Sequence, residues 1–151
     1  MAVAFLVGLL APAAYGARAI GSYKKVYGHS TSCTLVRATV NNTTRKGGGE
    51  THNFAGCSSS EPSLAVPPGY LGVSPNIRRD SNDWTCNGEG SFWVYNQTTT
   101  STLKASNALA VGYSTCPQHV AYYGESLGRR WQQTNSVYST VTSYRSPSLG
   151  F

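Results

Sequence analysis

Six carboxylates, three histidines and four cysteines are the groups of this 151-residue sequence able to move protons, ligate metal or form covalent bonds. Hydrolysis of a glycosidic bond needs two carboxylates facing each other across a cleft. Glu89 and Glu125 come first, since both sit beside aromatics, although the glycines around Glu89 in NGEGS equally suit a solvated turn. His119, Glu125, Arg129 and Arg130 lie close together in sequence. A histidine that carries a proton near neutral pH and an arginine that holds phosphate would give ribonuclease-like chemistry. His119 follows Cys116-Pro117, however, and equally begins a strand. His29-x3-Cys33 and His52-x4-Cys57 offer imidazoles and thiolates to zinc, but without a short C-x2-C knuckle. No G-x-S-x-G, H-E-x-x-H or Walker A signature occurs. The sequence therefore assigns no catalytic residue, no metal and no cofactor, and an enzyme is the weaker reading.

Aromatics form the second constellation. Trp84, Trp93, Tyr95, Tyr122, Tyr123, Trp131, Tyr138 and Tyr144 lie in the second half, among Thr, Asn and Gln. Such rings serve a core or stack on sugars. Trp93, Tyr95, Tyr122 and Trp131 are the candidate ligand-binding residues. The stretch NNTTRKGGGETHNFAGCSSS, residues 41–60, reads as a tether: its triple glycine gives flexibility, and no G-K-[ST] follows to cradle a phosphate. Asn41, Asn42 and Asn96 begin N-x-[ST] sequons, which matter only in a glycosylating host. Arg78-Arg79 and Arg129-Arg130 suit solvated surface or an anionic polymer.

The elements that must position these groups are strands. From Thr34 to Thr44, Val36, Ala38 and Val40 share one face and Leu35, Arg37 and Thr39 the other, the pattern of a half-buried strand. Residues 45–63 read as loop, and 64–73, broken by Pro67-Pro68, as an edge strand at best. Ser91–Thr99, apolar on both faces, suits a central strand; Ala108–Tyr113 is a short one. His119–Tyr123 is a strand that resumes near Arg129–Gln133. Asn135-Ser136 is a turn before the alternating Val137–Arg145. No amphipathic helical period appears. Two pairs of tracts echo each other: CTLVRATVNNTT with CNGEGSFWVYNQTT, and GYLGVSPNIRRDSN with YYGESLGRRWQQTN, the mark of an internal duplication.

The apolar run Ala2–Ala11, then Pro12 and the A-x-A site Ala17-Arg18-Ala19, reads as a secretory signal peptide of residues 1–19, with Gly16 as the second cleavage choice. The run is too short to span a membrane. The mature chain would be one domain, residues 20–151. In an oxidising compartment Cys33, Cys57, Cys86 and Cys116 favour two disulfides. Three pairings are open, and the nested one, Cys33–Cys57 with Cys86–Cys116, is preferred. Each bridge would contribute about 3–4 kcal/mol in the chain-entropy view. A formal charge of +6 gives a weak attraction to anionic surfaces and no specific case for nucleic acid.

The expectation is an all-β, disulfide-stapled antiparallel sandwich or small barrel that is secreted and acts by binding. Its expected partner is an extracellular polysaccharide or cell-wall component. A toxin-like protein acting on a neighbour's envelope and a small secreted hydrolase are the alternatives.

Overall fold

The computed structural model describes residues 17–29, 31–110 and 115–151. They form ten strands: β1 (Arg18–Ile20), β2 (Lys24–His29), β3 (Ser32–Asn41), β4 (Lys46–Phe54), β5 (Leu71–Arg79), β6 (Val94–Tyr95), β7 (Thr102–Ala108), β8 (Ala121–Gln132), β9 (Val137–Thr142) and β10 (Leu149–Gly150). One five-stranded sheet runs β1-β3-β4-β7, with β2 also on β3; the other runs β10-β8-β5-β6, with β9 also on β8. The ladders are antiparallel. The sheets stack as a sandwich and do not close into a barrel. Val40 from β3, Ile77 from β5 and Tyr122 from β8 share one buried core cluster, and Val36 of β3 and Val73 of β5 are also fully buried. The disulfides are Cys33–Cys57 and Cys86–Cys116, the nested pairing.

The period-two pattern of β3 places its valines inward and Leu35, Arg37 and Thr39 on the outer face of the first sheet. The loop reading of residues 45–63 fails next door. Residues 46–54 are β4, paired with β3 on one side and β7 on the other. Gly47, Gly48 and Gly49 are there for close approach, not for flexibility. A Cβ on Gly47 would lie 2.6 Å from the Asn76 carbonyl oxygen, and one on Gly49 would collide with Ser126 Oγ of the facing sheet.

Further expectations are corrected. The segment after Pro67-Pro68 is not an edge remnant: β5 is buried between β8 and β6. It tolerates Pro75 because the β6 pairing ends at Val73 and outside bonding resumes at Ile77, whose N–H goes to Asn87 Oδ1, so the missing donor falls in the gap. Conversely, the Ser91–Thr99 run yields only the two-residue β6. Buried Asn96 stops it: its Oδ1 accepts the Leu71 N–H while its Nδ2 donates to the carbonyls of Pro67 and Thr98. That sequon asparagine is a structural bracket. Of the echoing tracts, the first pair folds differently, into ten-residue β3 and the short β6, whereas the second pair forms the long strands β5 and β8. The expected strand Ala108–Tyr113 lies earlier, as β7, and residues 111–113 fall outside the described residues. Ala121–Gln132 is one unbroken strand where two pieces were expected.

At the N-terminal end, Arg18, Ala19 and Ile20 pair with Asn41, Val40 and Thr39, and Ala19 packs into the core cluster. A leader cut after Ala19 would sever this strand, whereas a cut after Gly16 keeps it. In an exported product, N-terminal sequencing is expected to begin at Ala17; a start at Ile20 would show β1 to be dispensable. The strand role of Gly47 fixes the sign of a second experiment. Gly47→Ala is expected to lower stability by about 1–3 kcal/mol, as overpacking does. In a flexible tether the same change would raise it by about 0.4–1 kcal/mol. Urea unfolding distinguishes the two.

Candidate functional site

The outer face of the first sheet is organised in rows across strands. Register places Arg37 opposite Glu50 and Glu50 opposite Lys104, so a carboxylate lies between two cations. The next row is Leu35, His52 and Thr102, and beyond it come Cys33 and Phe54. Two walls rise from this floor. One is the stretch from Gly21 to Lys25, which carries Tyr23. The other is the turn after Phe54, fixed to β3 by the Cys33–Cys57 bridge and carrying Ser58, Ser59, Glu61 and Ser63. Between them lies an open cleft of about 1010 Å³.

Glu50 is 3% exposed at the cleft's centre. Its Oε1 accepts the Tyr23 hydroxyl proton, and Arg37 Nη2 lies 3.2 and 3.1 Å from its two oxygens. Lys104 Nζ is 3.4 Å from Oε2. The Arg37 guanidinium also lies over the Tyr23 ring, 4.5 Å from its centroid. Burial opposes ionisation of Glu50, but the hydrogen bonds from Tyr23 and Arg37 and the charges of Arg37 and Lys104 outweigh it. The carboxyl therefore titrates below its ordinary range. The Tyr23 phenol is pushed well above its usual range by burial and by its bond to Glu50.

His52 stacks on Phe54, with ring centroids 4.0 Å apart. Its Nε2 lies 2.7 Å from Ser63 Oγ, and its Nδ1 lies 3.6 Å from Glu50 Oε1. Burial, together with the charges of Arg37 and Lys104, outweighs the pull of Glu50 and lowers the imidazole's pKa, which favours the neutral ring.

Lys104 links the cleft to a second hollow of about 350 Å³ on the same face. Arg18, Lys46 and Lys104 line it, with Thr39, Thr44 and Ser106 among the polar groups and no carboxylate. Cleft and hollow together make a groove carrying Arg18, Lys25, Arg37, Lys46 and Lys104 against Glu50 and Glu61.

Of the four candidate ligand-binding aromatics, three gather on the outer face of the second sheet. Trp93 stacks near Tyr95, while Tyr95 and Trp131 both touch Tyr138. Arg129 lies 3.8 Å from the Trp93 centroid and donates to Tyr95 Oη. These groups largely satisfy one another and leave a shallow hollow of about 200 Å³ beside Tyr70, Trp131 and Tyr138. Tyr122 is elsewhere: fully buried, it packs on Phe151 and donates to the Pro117 carbonyl.

The carboxylate pair and the ribonuclease-like set are not assembled. Glu89 is in an exposed turn held by Asn107, and Glu125 is paired with Arg78 at 2.7 Å. His119 sits in the turn before β8 with φ +64°. Arg130 is buried over Tyr70, on the opposite face of β8 from Glu125 and Arg129. The zinc reading loses its thiolates, because Cys33 and Cys57 are bonded to each other. Among the described residues no group of three metal-ligating side chains converges. The groups that do converge, Tyr23, Arg37, Glu50, His52, Ser63 and Lys104, are brought together by β4, whose glycines give the segment the composition of a loop. The one available signal was the alternation of Glu50, His52 and Phe54.

No protein-family model matches the chain, and no curated protein and no solved structure is significantly similar to it.

The two depressed pKa values make stability fall on acidification. For His52 the unfolded chain takes up its proton first, so stability is lost as pH drops below roughly 6.5. For Glu50 the contribution is full above roughly 4.3 and is lost as pH falls through its lower folded value. Glu50→Gln is therefore expected to lower Tm at pH 7, with the gap to wild type closing toward pH 3. A gap independent of pH would show that the carboxylate's charge does not organise the cleft.

Proposed function

We propose that this is an exported protein that binds an acidic extracellular glycan along the groove on the outer face of its first sheet. Two disulfides, and no helix among the described residues able to span a membrane, are compatible with life outside the cell. The observation that carries the reading is the Arg37–Glu50–Lys104 row. Glu50 fixes both cations while engaging only Nη2 of the Arg37 fork and one of the three donors of Lys104. Arg37 Nε is buried without a partner, but Arg37 and the largely exposed Lys104 both line a cleft edged by hydroxyls, a surface matched to sugar carboxylates or sulfates and their neighbouring hydroxyl groups. Nucleic acid fits less well, because base stacking needs free ring faces. Here Arg37 covers Tyr23 and His52 covers Phe54.

The test is co-sedimentation with an insoluble polyuronate and with a neutral glucan. Retention on the polyuronate is expected to fall with added salt and to weaken by about tenfold or more in Lys46→Ala/Lys104→Ala, in keeping with the loss of two charged hydrogen-bonding groups. Equal retention on both polymers, or no effect of the double substitution, contradicts the proposal. A second reading rests on the hollow between Trp131 and Tyr138, where a neutral sugar ring would stack. Under that reading Trp131→Ala removes binding and the lysine changes do not.

A further inference from the structure

Ser63, His52 and Glu50 stand in the cleft in the order nucleophile, base and orienting carboxylate. The distances are 2.7 Å from Ser63 Oγ to His52 Nε2 and 3.6 Å from His52 Nδ1 to Glu50 Oε1. We propose that they form a hydrolytic triad that removes O-acyl groups, carboxylic esters, from the glycan held in the groove. The inference rests on the binding reading for its substrate and on the triad geometry for its chemistry.

Each member is held by structure independent of the others. Ser63 is exposed, yet its backbone is fixed against β4. The Ala55 N–H donates to the Pro62 carbonyl, the Leu64 N–H to the Asn53 carbonyl, and Asn53 Nδ2 to the Leu64 carbonyl. Phe54 and Ser63 form the bridge between these bonds. His52 is fixed on β4 by its stack on Phe54. Glu50, two residues earlier on the same face, is fixed by Tyr23 and Arg37. A rigid strand carrying base and carboxylate, with the nucleophile bridged to it, is the support such a constellation needs.

The steps balance. With its proton on Nδ1 and directed at Glu50, His52 accepts the Ser63 proton at Nε2 as Oγ attacks the acyl carbonyl carbon. The carbonyl π pair moves onto oxygen, and the polar lining of the same cleft, which includes Lys25 and Ser59, is where a donor to that oxyanion would come from. The tetrahedral species collapses, the C–O bond to the sugar breaks, and the sugar oxygen leaves with the proton from Nε2. Water then attacks the Ser63 ester with His52 again as base, releasing a carboxylic acid and restoring the hydroxyl. Neutral imidazole at neutral pH suits this role, and the groups that set its charge are Glu50, Arg37 and Lys104. Glu50 is a positioning residue that holds the tautomer and offsets the imidazolium formed in the transition state.

The test uses the intact, oxidised protein with a fluorophosphonate probe, peptide mass mapping and p-nitrophenyl acetate as the ester. The expected result is an adduct on Ser63, absent in Ser63→Ala and His52→Asn, with ester turnover reduced by about 10³-fold or more in both. Glu50→Gln is expected to lower kcat and move the ascending limb of the pH–rate profile to lower pH, because the imidazole loses its negative neighbour. A role confined to folding would not move that limb. No adduct on folded wild-type protein, or turnover unchanged in Ser63→Ala, overturns the inference. Retention without labelling refutes the triad alone, and labelling without retention refutes only the glycan reading.

Discussion

A buried carboxylate on the outside of a sheet is the constraint on which the site depends. Glu50 projects away from the sandwich core yet is almost inaccessible, because Tyr23, Arg37 and Lys104 converge on it. A lone ionised carboxylate in such a place would be costly. Three donors make it tolerable, and each donor is thereby fixed. Tyr23 brings the N-terminal wall over the floor, Arg37 is laid across the Tyr23 ring, and Lys104 is drawn to the junction of cleft and hollow. One charge on β4 thus positions side chains from two other strands and from the stretch before β2.

The two disulfides serve different parts of this arrangement. Cys86–Cys116 belongs to the core cluster with Val40, Ile77 and Tyr122. Cys33 joins Leu35 and Phe54 in a small apolar cluster on the outer face, with Tyr23 packed against it. Its bond to Cys57 holds the serine-rich turn over β4, so that the cleft has a second wall. Close sheet packing is the other requirement. Gly47 and Gly49 face the second sheet, and Gly124 on β8 comes so near the Thr39 backbone that a side chain there would collide with it. Backbone from the two sheets meets where side chains would otherwise separate them.

The sandwich, the disulfide pairing and the two-faced character of β3 were legible because each has a local signal: strand alternation, an even cysteine count with nested spacing, and turn residues between runs. The site was not, and the cause is specific. Gly47-Gly48-Gly49 carries the composition of a loop, and whether glycine marks a turn or a close approach depends on what lies opposite. Asn76 and Ser126, the residues opposite, are distant in sequence. With β4 read as tether, Glu50 and His52 had no face to share with Arg37, and Ser63 had no strand to bridge. Of the four candidate aromatics, Trp93, Tyr95 and Trp131 lie together on one outer face, and Tyr122 lies in the core. Its β8 phase puts it with the inward residues, opposite Tyr123's neighbour Glu125 and the outward Trp131.

The groove and the aromatic hollow lie on opposite outer faces of the sandwich, so the location of a bound ligand separates the two readings. Titrating an acidic oligosaccharide into isotope-labelled protein and following backbone and side-chain resonances locates it directly. The account predicts shifts concentrated at Arg37, His52, Lys46 and Lys104, with Trp93 and Trp131 unmoved. Shifts centred on Trp131 and Tyr138, with the Glu50 row silent, would contradict it.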